Sequence, residues 1–150
     1  MKLKQLSLFV ENQPGSLSAP CRTLAAAGIN LVTFSIADSQ EFGIFRFIVR
    51  EWEKALDLLG KGGWVAKVTD VVAVEVPDQP GGLAGILEVL EKARLNVEYM
   101  YAFTLKRDDK GVLVFRFDDP DAALRVLRAG GVSVLDTAEL EVRLRARGPA

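Results

Sequence analysis

The chain has 150 residues, 49% hydrophobic and 26% charged, a balance that supports a packed core in one domain or two small ones and excludes a disordered chain. Its 19 basic and 20 acidic residues leave a net charge of -1 with no Lys/Arg-rich run, so nothing in the charge points to nucleic acid. Histidine is absent and Cys21 stands alone, which removes the commonest general base, the commonest transition-metal ligand and any internal disulfide.

The opening Met1-Lys2-Leu3-Lys4-Gln5 carries no apolar core of signal-peptide length, and no later segment is apolar enough to span a bilayer. A cytoplasmic protein without a membrane partner is expected. Residues 3–10 alternate (Leu6, Leu8, Val10) and read as a first strand. Asn12-Gln13-Pro14-Gly15-Ser16-Leu17 then reads as a strand-to-helix turn, with Pro pre-setting φ and Gly allowing a close backbone approach. A first helix is expected over 15–27, with Leu17, Cys21, Leu24 and Ala27 inward. Pro20 should disturb its start. Cys21 falls where a small apolar residue packs.

Gly28 closes that helix, and 29–36 reads as a second strand headed by Asn30. A third strand over 43–49 is hairpinned to it across the polar 38–41 turn. A second helix starts near Trp52, with Ala55, Leu56 and Leu59 inward, and ends at Gly62-Gly63. Strand material returns at 64–68. The order then repeats: strand (Val72, Val74, Val76), turn Asp78-Gln79-Pro80-Gly81-Gly82-Leu83, helix 82–93, strand 95–103, turn 106–110, strand 112–117. A helix capped by Asp119-Pro120 and ended by Gly130-Gly131 follows. Leu140, Val142 and Leu144 alternate with charged residues and predict a terminal strand.

The repeat holds residue by residue. Gln13, Pro14, Gly15, Leu17, Leu24, Ala27 and Asn30 recur at an offset of 66 as Gln79, Pro80, Gly81, Leu83, Leu90, Ala93 and Asn96. Beyond the hairpin, Gly43, Phe47, Ala55, Leu56, Leu59, Gly62 and Gly63 recur at an offset of 68 as Gly111, Phe115, Ala123, Leu124, Leu127, Gly130 and Gly131. The two residues gained belong in a turn, where insertions are tolerated. Each half is βαββαβ, so the fold class is α+β, two antiparallel sheets each carrying its helices on one face, with domains at 1–70 and 71–147. Phe45, Phe47 and Val49, and Leu113, Phe115 and Phe117, belong on the helix side. Ile44, Ile48, Val112 and Val114 point the other way, so the helix-free faces are expected to be covered, most simply in a homodimer.

Each Pro-Gly turn leaves backbone N–H groups at a helix start, a place that suits a carboxylate or phosphate. A tight connection with no ligand explains the same residues.

The paired strand, Pro-Gly turn, helix, Gly-Ile-Asn strand and hairpin resemble two tandem ACT domains over nearly the whole chain. The stretch Asn96-Val97-Glu98-Tyr99-Met100-Tyr101 is similar to stand-alone tandem ACT proteins. The resemblance implies ferredoxin-like modules, usually attached to enzymes of amino-acid metabolism, that bind a free amino acid at an interface between two domains. It also implies an effector held by an Asn two residues before the Pro and an Asn heading the second strand, as in serine-sensing members. The matching positions are Asn12 with Asn30, and Asp78 with Asn96, while Val10 and Val76 stand where some members carry His. The candidate ligand residues are therefore Asn12, Gln13, Pro14, Gly15, Ser16, Leu17 and Asn30 in the first half. In the second they are Asp78, Gln79, Pro80, Gly81, Gly82, Leu83, Asn96 and Tyr99, Tyr99 serving equally well as core.

An RNA-recognition module shares the element order, and Phe42-Gly43-Ile44-Phe45-Arg46-Phe47 loosely resembles its third-strand motif. The second copy, however, has lost most of those aromatics. The pairs Asp108-Asp109 and Asp118-Asp119 fit a hairpin turn and a helix cap, with no metal, phosphate-loop or nucleophile spacing beside them. The expectation is an amino-acid-binding regulatory protein, not an enzyme, with no cofactor, no metal and no catalytic residues. An enzyme of amino-acid metabolism is its expected partner.

Overall fold

The structure, a computed structural model, describes residues 1–105 and 109–145, so most of the expected 106–110 turn lies outside the described residues. The chain divides into two compact units, Lys4–Thr69 and, together, Met1–Leu3 with Asp70–Ala150.

In the first unit β1 (Leu3–Glu11), α1 (Ser18–Ala26), β2 (Thr33–Ser39), β3 (Phe42–Ile48) and α2 (Trp52–Lys61) lead to the opening of β4 (Ala66–Pro77). β3 lies between β1 and β2, antiparallel to both, and β4 neighbours β1 on its other side. The register sets Leu6 opposite Phe47, Leu8 opposite Phe45 and Val10 opposite Gly43. Strand alternation therefore sends these apolar side chains to one face, where Leu24, Ala55 and Leu59 close over them. The rings of Phe45 and Phe47 stack there at 5.0 Å. The helix start departs from the sequence reading, because α1 opens at Ser18 and places Pro20 in its first turn. Amides of that turn have no intrahelical acceptor, so Pro20 costs no hydrogen bond.

The second unit continues with α3 (Gly82–Lys92), β5 (Val97–Leu105), β6 (Lys110–Phe117), α4 (Pro120–Ala129) and β7 (Ser133–Leu135). Its antiparallel order is β7-β4-β6-β5, with Val72 opposite Phe115, Val74 opposite Leu113 and Val76 opposite Gly111. Val72, Val74, Val76, Leu113 and Phe115 form its core with Ile86, Leu90 and Leu127. Asp119 caps α4 as expected, its carboxylate accepting the Ala122 N–H at 2.9 Å. With these elements the two halves adopt tandem ferredoxin-like folds.

The terminal strand expected at Leu140 to Leu144 is not formed. Residues 137–145 are a helix, α5 (Thr137–Arg145), and the edge strand of the repeat is the three-residue β7 before it. A reciprocal cap decides the outcome: Asp136 accepts the Glu139 N–H at 2.8 Å while Glu139 accepts the Asp136 N–H at 2.8 Å. Two backbone donors are satisfied at once, and an isolated alternating stretch has no comparable local gain. Leu140 is buried and Val142 is 63% exposed, so the alternation that suggested a strand carries no shared face. Arg143 of α5 reaches Glu75 at 2.8 Å, on the face of β4 opposite the α3–α4 core, where Lys110 holds the other carboxylate oxygen at 2.7 Å.

Candidate functional site

Both Pro-Gly stretches fold into the same turn. Gly15 has φ 90° and Gly81 φ 89°, the left-handed conformation that a type II turn requires after Pro. The closing bond runs from the Ser16 N–H to the Gln13 carbonyl at 3.3 Å and from the Gly82 N–H to the Gln79 carbonyl at 3.0 Å. Each turn is also tied to the tip of the neighbouring hairpin. The Asn12 N–H donates to the Glu41 carbonyl at 2.9 Å, and the Asp78 N–H to the Asp109 carbonyl at 2.7 Å.

A cavity of about 540 Å³ lies beside the first turn, and one of about 570 Å³ beside the second. The first collects Asn12, Gln13, Pro14, Gly15 and Leu17 from the expected residues and adds Val10, Glu11, Ser18, Cys21, Ile36, Asp38 and Gly43. The second collects Gln79, Pro80, Gly81 and Gly82, and adds Glu75, Val76, Pro77, Gly85, Ile86, Val89, Lys110 and the 130–133 stretch. Ser16, Asn30, Asp78, Leu83, Asn96 and Tyr99 line neither cavity. Asn30 and Asn96 are exposed, and Tyr99 is half-buried on β5.

The side chains set different chemistry at the two places. In the first cavity the Asn12 amide donates to the Gln40 carbonyl at 3.1 Å, and Gln13 donates to the Glu11 carboxylate. Asp38 enters from the end of β2, opposite Gly43. Among the described residues no basic side chain lines this cavity. Gly43 keeps its floor low, since a Cβ there would meet Val10 Cγ2 at 3.3 Å and Ile36 Cδ1 at 3.4 Å. Burial pushes the Cys21 thiol above its ordinary range, so it stays protonated and acts as an apolar wall. In the second cavity the charged pair Glu75 and Lys110 is already joined. Asp78 is exposed and does not cap α3, whose N-cap residue is Gly81.

A family model for the ACT domain pair matches residues 1–142. The chain belongs to the ACT family. Among solved structures it is similar to protein BT0572 from Bacteroides thetaiotaomicron, at 35% identity and TM-score 0.87, covering 94% of this chain and 96% of that one. The regulatory subunit of aspartate kinase from Thermus thermophilus shares the fold at 19% identity and TM-score 0.62, covering 87% and 93%. Aspartate kinase from Synechocystis shares it at 20% identity and TM-score 0.57, over 89% of this chain and 26% of that larger one. No curated protein matches.

Within this ACT pair, the cavity residues beyond the expected ones come partly from the strand and helix beside each turn and partly from elements distant in sequence. Of the latter, Ile36 and Asp38 lie on β2, Gly43 opposite Asp38 on β3, and Val132 and Ser133 where α4 turns into β7. The turn residues were legible from their spacing, whereas these are brought in by sheet register. The Gly62-Gly63 and Gly130-Gly131 repeat was the one sequence signal for the second group. Among the described residues no group of three or more His, Cys, Asp and Glu side chains could hold a metal ion, and no helix is long and apolar enough to cross a membrane.

Proposed function

We propose that this ACT pair is a regulatory sensor that binds a free amino acid beside its Pro-Gly turns and performs no catalysis itself. Residues 1–70 and 71–147 would act as its two domains, in a cytoplasmic homodimer that regulates an enzyme of amino-acid metabolism. The observation that carries this reading is the pair of cavities, each built against the same type II turn at a helix start. An α-carboxylate suits the amides at these helix starts. In the first cavity Asp38 offers the anion that an α-ammonium group needs, and Val10, Ile36 and Cys21 offer an apolar wall to an aliphatic side chain.

The candidate residues divide by this geometry. Gln13, Pro14, Gly15 and Leu17, with Gln79, Pro80, Gly81 and Gly82, form the walls. Asn12 contributes by fixing the hairpin tip. The RNA-binding alternative loses support, because two of the three aromatics of its motif, Phe45 and Phe47, are 3% and 0% exposed on the helix side of the sheet, and of the three Phe42 alone is open, at 50%.

Thermal unfolding in the presence of each common amino acid tests the proposal. A ligand bound only by the folded state adds about 2.7 kcal/mol at roughly 100 times its dissociation constant, so at least one amino acid should raise the midpoint. If none does so at millimolar concentration, the sensing function fails for this protein.

A further inference from the structure

The repeat allows the helix-free sheet faces of the two units to be compared row by row. In the first unit, strand alternation puts Phe9, Ile44 and Ala37 on that face, and the ladder aligns them, Phe9 opposite Ile44 and Ile44 opposite Ala37. Val65 extends the row. Ala66 and Val68 pack on the core, so Val65 points to the other face, and its carbonyl accepts the Phe9 N–H at 3.4 Å. Phe42 lies on the same face two residues from Ile44, opposite Glu11. Phe9, Phe42 and Val65 are 51%, 50% and 72% exposed. The two rings alone leave about 200 Å² of apolar surface open. With Val65 and Ile44 the patch enters the range of about 300–600 Å² at which an exposed apolar patch is often functional.

The equivalent row of the second unit is Ser133, Glu75, Val112 and Phe103, with Lys110 in the place of Phe42. It is closed from within the chain. Val112 is fully buried and Glu75 is 6% exposed, its carboxylate held by Lys110 at 2.7 Å and by Arg143 of α5 at 2.8 Å. α5 follows β7 there, whereas in the first unit the last strand runs on as β4 (Ala66–Pro77) into the second repeat. The copy-to-copy contact expected of both helix-free faces is therefore left to the first.

The chemistry of the open patch selects its cover. A helix like α5 brings an arginine for Glu75, but Phe9 stands in that place and Phe42 in that of Lys110. None of the patch residues is charged. Glu11 and Lys67 flank it on neighbouring strands, both exposed and two residues beyond Phe9 and Val65. A fitting cover is apolar in the middle with an acid and a base at its margins, and the patch is itself such a surface.

We propose that the helix-free face of the first unit is the contact between two copies of this chain, with Phe9, Phe42, Ile44 and Val65 packed on the same residues of the partner subunit and Glu11 of each copy set against Lys67 of the partner subunit. This deepens the homodimer of the proposed function by naming its surface, and it does not rest on ligand binding.

Sedimentation equilibrium of the full chain over a range of concentrations tests it. Wild type should be a dimer. Phe9→Glu with Phe42→Lys, which writes into the first unit the residue types found at 75 and 110, should raise the dissociation constant about thirty-fold or more with the circular dichroism spectrum unchanged. Glu11→Lys and Lys67→Glu should each weaken the dimer, and the two together should recover most of the loss. Should the aromatic double variant fail to fold, Val65→Ser serves, with a smaller loss expected. A dimer undiminished by all of these variants overturns the surface and leaves the homodimer standing. Wild type that stays monomeric at about 100 μM overturns both. A monomer that binds single-stranded RNA, with that binding lost in the aromatic double variant, overturns the inference in favour of bases stacked on the two rings.

Discussion

The two turns have almost the same backbone, yet their surroundings differ. Ser16 stands where the second turn has Gly82, Trp64 where it has Val132, and Ile36 with Asp38 where β5 has Ala102 and Thr104. The register proves the last equivalence, since Ile36 and Asp38 oppose Phe45 and Gly43 just as Ala102 and Thr104 oppose Leu113 and Gly111. Backbone geometry is set locally by Pro and Gly. The cavity beside it is set by side chains that arrive from other elements, and those are free to diverge between copies.

The largest expected difference between the units is at the Gly-Gly pairs. Removing the half-buried ring in Trp64→Ala should cost about 3 kcal/mol, against about 1.5 kcal/mol for the two methyl groups lost in Val132→Ala. Urea unfolding of the two variants measures this, and equal losses would mean that the two positions contribute alike to their units.

Next comes the position after each turn. A Cβ on Gly82 would meet the Pro77 carbonyl oxygen at 2.3 Å, so Gly82→Ala should cost about 2 kcal/mol through overpacking, whereas Ser16→Ala should stay within about 0.5 kcal/mol. Gly15→Ala and Gly81→Ala should behave alike, each losing about 1 to 2 kcal/mol to the left-handed conformation. A clear inequality between these last two would break the claim that the turns share one backbone.

The smallest effect on stability, and the sharpest on chemistry, is expected at Asp38. Asp38→Asn should barely change the unfolding midpoint, yet it should weaken amino acids at the first cavity by about ten-fold, because charge-assisted bonds contribute about 1.5 to 3 kcal/mol. The corresponding 2-keto acids, which lack the ammonium group, should bind Asp38→Asn no worse than wild type. Calorimetric titration with both ligand types separates the outcomes.

The element order, the core faces and the Asp119 cap were readable because each rests on a local signal: periodicity, Pro-Gly spacing, Asp before Pro. The same local reading failed at the tail, where the alternation of Leu140, Val142 and Leu144 outweighed the Asp136–Glu139 cap signal in the same stretch. Part of each cavity was legible for the same reason and the rest was not. Gln13 to Gly15 announce themselves in sequence, but Asp38 becomes a cavity residue only through its pairing with Gly43, and Val132 only through the return of the chain after α4. Asp78 shows the converse: its place before the Pro marked it as a ligand group, and it is exposed and lines neither cavity.

The most direct measurement is calorimetric binding of free amino acids to wild type, to each of two cavity-filling variants, Gly43→Leu and Val132→Trp, and to the double variant. A larger side chain at Gly43 enters the first cavity between Val10 and Ile36, and an indole at 132 enters the second. The expected result is binding by wild type, loss of a different part of it in each single variant, and none in the folded double variant. An undiminished signal from the double variant, or no binding by wild type, would contradict the assignment of amino-acid sites to the two turn cavities.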